Sequence, residues 1–194
     1  DLGALVHNLN FFRSRLNPET KIMVMVKAFA YGSGSPEVAN VLQYHKVDYL
    51  GVAYVDEGAE LRKNNINLPI MVMNPSEDSF ESLTTYNLEP EIYNFTILRA
   101  LLQYMNGRPC SIHLKLDTGM HRLGFEREEL TDLIQLLHDN PNISVSSIFT
   151  HLAAADESEQ DEFSKYQVDQ FKYCADWISA SLAYKPIYHV LNSS

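Results

Sequence analysis

The chain has 194 residues, 45% of them hydrophobic and 21% charged, which is enough apolar material for an ordinary globular core. Its net charge of −10, with no basic cluster interleaved with aromatics, argues against a nucleic-acid surface. No apolar run approaches a membrane span and the N-terminus has no signal-peptide pattern, so a cytoplasmic protein without a membrane role is expected. Cys110 and Cys174 lack ligand or redox-motif spacing and read as reduced thiols. The seven histidines show no paired spacing on a helix, and no metal site is expected.

In chain order, Leu2, Leu5, Val6, Leu9, Phe12 and Leu16 recur at a helical period and predict a helix from Leu2 to Arg15. The apolar run Ile22 to Val26 predicts a buried strand ending on Lys27, followed by Ala28-Phe29-Ala30-Tyr31-Gly32-Ser33-Gly34. Ser35 as N-cap and Pro36 at the first helical position predict a helix from Pro36 to His45. A second strand over Tyr49–Ala53 and a helix over Asp56–Lys63, acidic at its start and basic at its end, come next. A third strand covers Pro69–Met73, a short helix Asp78–Thr84, a weaker fourth strand Pro90–Tyr93, and a helix Phe95–Met105. Ser111–Leu116 is the fifth strand, Glu126–His138 a helix stopped by Asn140-Pro141, and Val145–Thr150 the sixth strand. A long helix from about Glu159 to Leu182 precedes a seventh strand, Pro186–Leu191.

Seven strands alternating with helices require a parallel sheet, doubly wound or closed as a barrel. No dinucleotide fingerprint follows the first strand, because Gly32-Ser33-Gly34 lacks the third glycine and a lysine precedes it. The expected fold is a TIM-type (β/α)8 barrel, incomplete at its C-terminal end with about seven of eight strands present. One domain is expected over residues 1–194, short of closure by roughly one βα unit.

Polar residues recur where the apolar strands end, the position at which barrels and open α/β sheets carry ligands. Lys27 and Tyr31 follow the first strand. Asn74-Pro75-Ser76 follows the third, Lys115 to Phe125 the fifth, Thr150-His151 the sixth, and Asn192-Ser193-Ser194 the seventh. A partly desolvated strand-end lysine gains amine character and can form a Schiff base; taken alone, it reads more simply as a lysine reaching to solvent. The Asp117-Thr118-Gly119 segment can be a plain turn, with Asp117 capping amides, Gly119 at positive φ and Arg122 paired with an acidic residue. His151 can be a hydrogen-bonded core residue.

Two of these segments carry a family likeness. Lys27-Ala28-Phe29-Ala30-Tyr31-Gly32-Ser33-Gly34 resembles the cofactor-lysine motif of the alanine racemases, with Ser33 where the family often has histidine. Lys115-Leu116-Asp117-Thr118-Gly119-Met120-His121-Arg122-Leu123-Gly124-Phe125 resembles their second signature. Looser likeness, in the same order, runs through Asp56–Arg62, Pro69–Val72, Phe149–Asp156 and His189–Ser193, so the resemblance covers essentially the whole chain. It implies a barrel that binds pyridoxal 5'-phosphate (PLP). In it Lys27 would be the Schiff-base lysine and one of two acid/base groups, and Tyr31 and Ser193 would contact the phosphate. Arg122 would lie by the cofactor's phenolic oxygen and the substrate carboxylate, with His151 and Asn192 beneath or beside the ring. Lys115 occupies a position that is carbamylated in many members.

The implied activity is interconversion of L- and D-alanine for peptidoglycan synthesis, by a homodimer in which a partner's tyrosine from a C-terminal β-domain supplies the second base. That tyrosine, and the arginine that faces the pyridine nitrogen, would lie beyond Ser194, so the 194-residue chain alone is expected to be inactive. Two alternatives stay open. One is a broad-specificity amino-acid racemase; the other is a non-catalytic PLP-binding barrel module.

Overall fold

A computed structural model describes residues 1–190, in two compact units, the first Asp1–Pro90 and the second beginning at Glu91. The described residues form seven strands, β1 (Met23–Met25), β2 (Tyr49–Val52), β3 (Ile70–Val72), β4 (Glu89–Ile92), β5 (Cys110–Lys115), β6 (Ile143–Phe149) and β7 (Ile187–His189). All pair in parallel and in chain order. A doubly wound sheet would reverse its order at a switch point, so this is the topology of a (β/α) barrel, as the alternation predicts.

In the first unit, β1 to β4 alternate with α1 (Leu2–Arg15), α2 (Lys27–Gly32), α3 (Ser35–Tyr44), α4 (Val55–Lys63) and α5 (Phe80–Thr85). Val52, Ile70 and Val72 are fully buried, and with Leu42, Leu50, Leu61 and Leu83 they form the core of the unit. Arg62 ends α4 by donating to the carbonyls of Ile66, Leu68, Tyr86 and Asn87, and burial pulls its guanidinium below the usual value. Four carbonyls that no strand or helix satisfies thus share one cation. The α3 start differs from expectation. Gly34, at φ 92°, is the capping residue, and Ser35 is already helical because its hydroxyl donates to the Val26 carbonyl at 3.0 Å.

The second unit holds the end of β4, then α6 (Phe95–Met105), β5, α7 (Leu130–His138), β6, α8 (Asp161–Ser181) and β7. Asn94 caps α6 by accepting from the Ile97 amide, and Asn106 ends it in the left-handed conformation. The helix expected from Glu126 and the one expected from Glu159 each open with a 3₁₀ turn, so α7 and α8 begin at Leu130 and Asp161. Leu98, Leu101, Leu130, Leu133, Ala175 and Ile178 on the helices are fully buried, as are Ile112, Leu114 and Ile148 on the strands. No helix among the described residues is long and apolar enough to cross a membrane.

Candidate active site

In the first unit the chain leaves β1 at Val26, whose amide donates to Gly51 on β2, and Lys27 follows half-buried at the carboxyl end of the strand. The next four residues, Ala28, Phe29, Ala30 and Tyr31, all have φ between 50° and 56° and make a left-handed turn. None is glycine, and such backbone costs on the order of 1–2 kcal/mol per residue. Hydrogen bonds hold it: Ala30 donates to Val26, Ser33 to Ala30 and Gly34 to Phe29. The turn re-aims the chain immediately after Lys27. Phe29 and Tyr31 are exposed.

Glu57 fastens this turn. One carboxylate oxygen accepts from the Ala28 amide at 2.7 Å, and the other accepts from Ala53 at 2.6 Å and Tyr54 at 3.2 Å. A side chain on α4 thereby ties the residue after Lys27 to the loop after β2. Sequence reading gave Glu57 only a place in an acidic helix start. Glu57→Ala is expected to destabilise the whole protein by about 2–3 kcal/mol, the scale of lost hydrogen bonds to a charged acceptor. Urea unfolding measures this, and an unchanged midpoint would remove Glu57 from its role.

In the second unit Lys115 ends β5, and the chain folds back at once. The Asp117 amide donates to the Phe125 carbonyl and the Phe125 amide to the Lys115 carbonyl, closing a loop that carries Arg122. Asp117 accepts from the amides of Gly119 and His121, and Gly119 sits at φ 130°, as a turn reading requires. Arg122 is exposed, and no acidic partner stands against it among the described residues. His151 is half-buried just past β6.

One buried chain of hydrogen bonds ties the Arg122 loop to the His151 loop. Thr150 Oγ1 donates to the Leu116 carbonyl, so its contact with Thr118 Oγ1 at 2.9 Å must be accepted from Thr118. Gln167 Nε2 donates to Thr118 Oγ1 and to the His151 carbonyl, while its Oε1 accepts from Ala153. Gln167 is fully buried on α8, where a helical period alone gives a glutamine no role.

The inner face of this unit is polar, which the apolar strand pattern did not announce. Register pairs Glu91 with His113, His113 with Ser147, Lys115 with Phe149, and Phe149 with His189. Ser147 Oγ lies 2.7 Å from His113 Nδ1 and 3.2 Å from His189 Nε2, and the His189 ring stacks on Phe149. Burial, and secondarily His113, pushes His189 down to about 4. Its unfolded value is near 6.5, so between those limits the unfolded chain binds a proton that the folded one refuses. Acidification from pH 6.5 towards 4 is therefore expected to remove about 2–3 kcal/mol of stability. His189→Gln should flatten that slope in urea midpoints measured across this range. Asn192 and Ser193 lie outside the described residues.

Parallel strands in chain order with polar groups at their carboxyl ends define a protein of the (β/α)-barrel class. Comparison with known proteins narrows it. The family profile described as "Alanine racemase, N-terminal domain" matches residues 1–194. The serine/alanine racemase of Enterococcus gallinarum is 39% identical over 84% of this chain and 23% of its own length. The alanine racemase of Clostridium tetani is 35% identical over all of this chain and 51% of its own. Among solved structures, the alanine racemase of Clostridium difficile 630 superposes with a TM-score of 0.88 at 34% identity, over 96% of this chain and 49% of that one. The alanine racemase of E. faecalis also gives 0.88, at 31% identity over 100% of this chain and 52% of that one. This chain belongs to the alanine racemase family and forms its N-terminal barrel domain. It spans about half the length of the alanine racemases it matches.

Proposed function

We propose that the whole protein carrying this chain binds PLP on Lys27 and interconverts L- and D-alanine. The observation that carries the reading is the placing of Lys27: an amine at the carboxyl end of β1, followed by a strained left-handed turn that Glu57 fastens. Strain held against such a cost is characteristic of functional sites. The donor set also fits the cofactor's chemistry: Lys27 offers an amine for its aldehyde, Tyr31 a phenol for its phosphate, and Arg122 a guanidinium for an oxyanion. His151 offers an imidazole to its ring, and Asn192 and Ser193 complete the set the family likeness implies.

When bound, PLP supplies an electron sink for the charge left at Cα after proton removal. The protein must hold the Cα–H bond and place one proton acceptor and one donor on opposite faces. Lys27 serves one face. Arg122, on its backbone-closed loop, orients the substrate carboxylate. The second base comes from a partner subunit, which makes the working form a homodimer, and D-alanine supply to peptidoglycan in the cytoplasm is its cellular role.

Borohydride reduction followed by peptide mass analysis tests the central assignment. A pyridoxyl group on Lys27 is the expected result, and one on any other lysine overturns it. A broader substrate range is the second reading, favoured by relatives named serine/alanine racemase and amino-acid racemase. Racemisation of serine at rates comparable to alanine would decide for it.

A further inference from the structure

Lys115 and Glu91 lie side by side in the interior of the second unit. Lys115 is 4% exposed and Glu91 fully buried, with Nζ 3.2 Å from Oε1. The ammonium also sits 5.4 Å from the centre of the Phe149 ring. Strand register explains the meeting. Glu91 on β4 pairs with His113 on β5, and Lys115 is two residues further along, on the same face. Each charge would be expensive to bury alone, and as a pair they are neutral. The anchor matters for the Arg122 loop, because the Lys115 carbonyl accepts the Phe125 amide that closes it.

The family likeness implies carbamylation at this position, and the local chemistry opposes it. To be carbamylated, the Lys115 ammonium must first lose a proton. Its nitrogen lone pair then attacks the carbon of CO2, a C=O π pair moves onto oxygen, and a second proton leaves the nitrogen for solvent. A cation becomes an anion. Beside Glu91, the pair would change from neutral to two buried negative charges in contact. We propose that Lys115 remains an unmodified ammonium in a buried ion pair with Glu91, and that Glu91 is the positioning residue supplying the internal anion. The inference rests on the racemase reading only for the role of Arg122.

The test is 13C NMR of the cofactor-loaded whole protein equilibrated with 13C-bicarbonate. Wild type is expected to show no carbamate carbon. Glu91→Gln, which removes the competing anion, should gain one per chain, and that signal should vanish when Lys115→Met is added. Glu91→Asp should stay unmodified like wild type. A wild-type carbamate that Lys115→Met abolishes overturns the proposal, as does a folded Glu91→Gln protein without one. Should Glu91→Gln fail to fold, the 15N shift of the wild-type Lys115 Nζ decides, an ammonium upholding the pair and a carbamate nitrogen sinking it. Peptide analysis of the same sample keeps the two readings apart. A wild-type carbamate with pyridoxyl on Lys27 defeats this inference alone, and a pyridoxyl group on another lysine defeats the racemase reading alone.

Discussion

Lys27→Ala is expected to abolish borohydride-trapped cofactor and to lower alanine racemisation by about 10³-fold or more, the scale of losing a covalent anchor together with an acid/base group. Folding should survive. Lys27 is half-buried at a strand end, and β1 pairs with β2 through backbone groups that the substitution leaves in place. The urea midpoint should therefore stay close to wild type, which separates a chemical role from a structural one. Lys27→Arg should be equally inactive, because a guanidinium keeps the charge but cannot give up its proton at neutral pH or condense with an aldehyde. Partial rescue of Lys27→Ala by a small added primary amine would show that the missing function is an amine. Retention of more than about a tenth of wild-type activity in either variant is incompatible with the acid/base role, given the contribution such groups make.

The elements were legible because parallel strands buried on both sides read as apolar runs, and because α1 and α6 carry a clean helical period; both match expectation residue for residue. Strand ends shifted by a residue or two, since pairing with a neighbour rather than hydropathy fixes where a strand stops. Lys27, Lys115, Arg122 and His151 could be singled out because reactive side chains stand out against apolar strands. The devices that position them could not. The left-handed turn falls on Ala28 to Tyr31, residues with no preference for positive φ, while the glycines that advertise one come afterwards. Glu57 and Gln167 look like ordinary helix residues until tertiary structure brings amides and hydroxyls to them. Glu91 sat in the weakest strand of the pattern, and its meaning depends on the register that sets it beside β5.

Gly124→Ala is expected to destabilise this barrel domain by about 3 kcal/mol or more, and to lower the domain's melting temperature by about 6–12 °C. Two costs add at this position. Gly124 has φ 134°, a region closed to residues with a side chain. A methyl group there would also lie 2.4 Å from the Asp117 nitrogen and 2.5 Å from the Leu116 carbonyl carbon. Both obstacles are backbone, held by the Asp117–Phe125 and Phe125–Lys115 hydrogen bonds, so neither can rotate away as a side-chain tip could. Relief requires opening the loop that carries Arg122. The kinetic effect should accordingly exceed what lost stability explains: at temperatures where the variant is folded, kcat/KM for alanine should fall about a hundredfold, as displacing a substrate-orienting group by about 1 Å can do. Gly107→Ala is the control. Its φ is 80°, but the nearest atom to an added Cβ is Asn142 Nδ2 at 3.9 Å, so it isolates backbone strain from overlap. It should lose about 1–2 kcal/mol with kcat/KM intact. Equal effects at the two glycines would mean that the close approach at Gly124 does not hold the arginine in place.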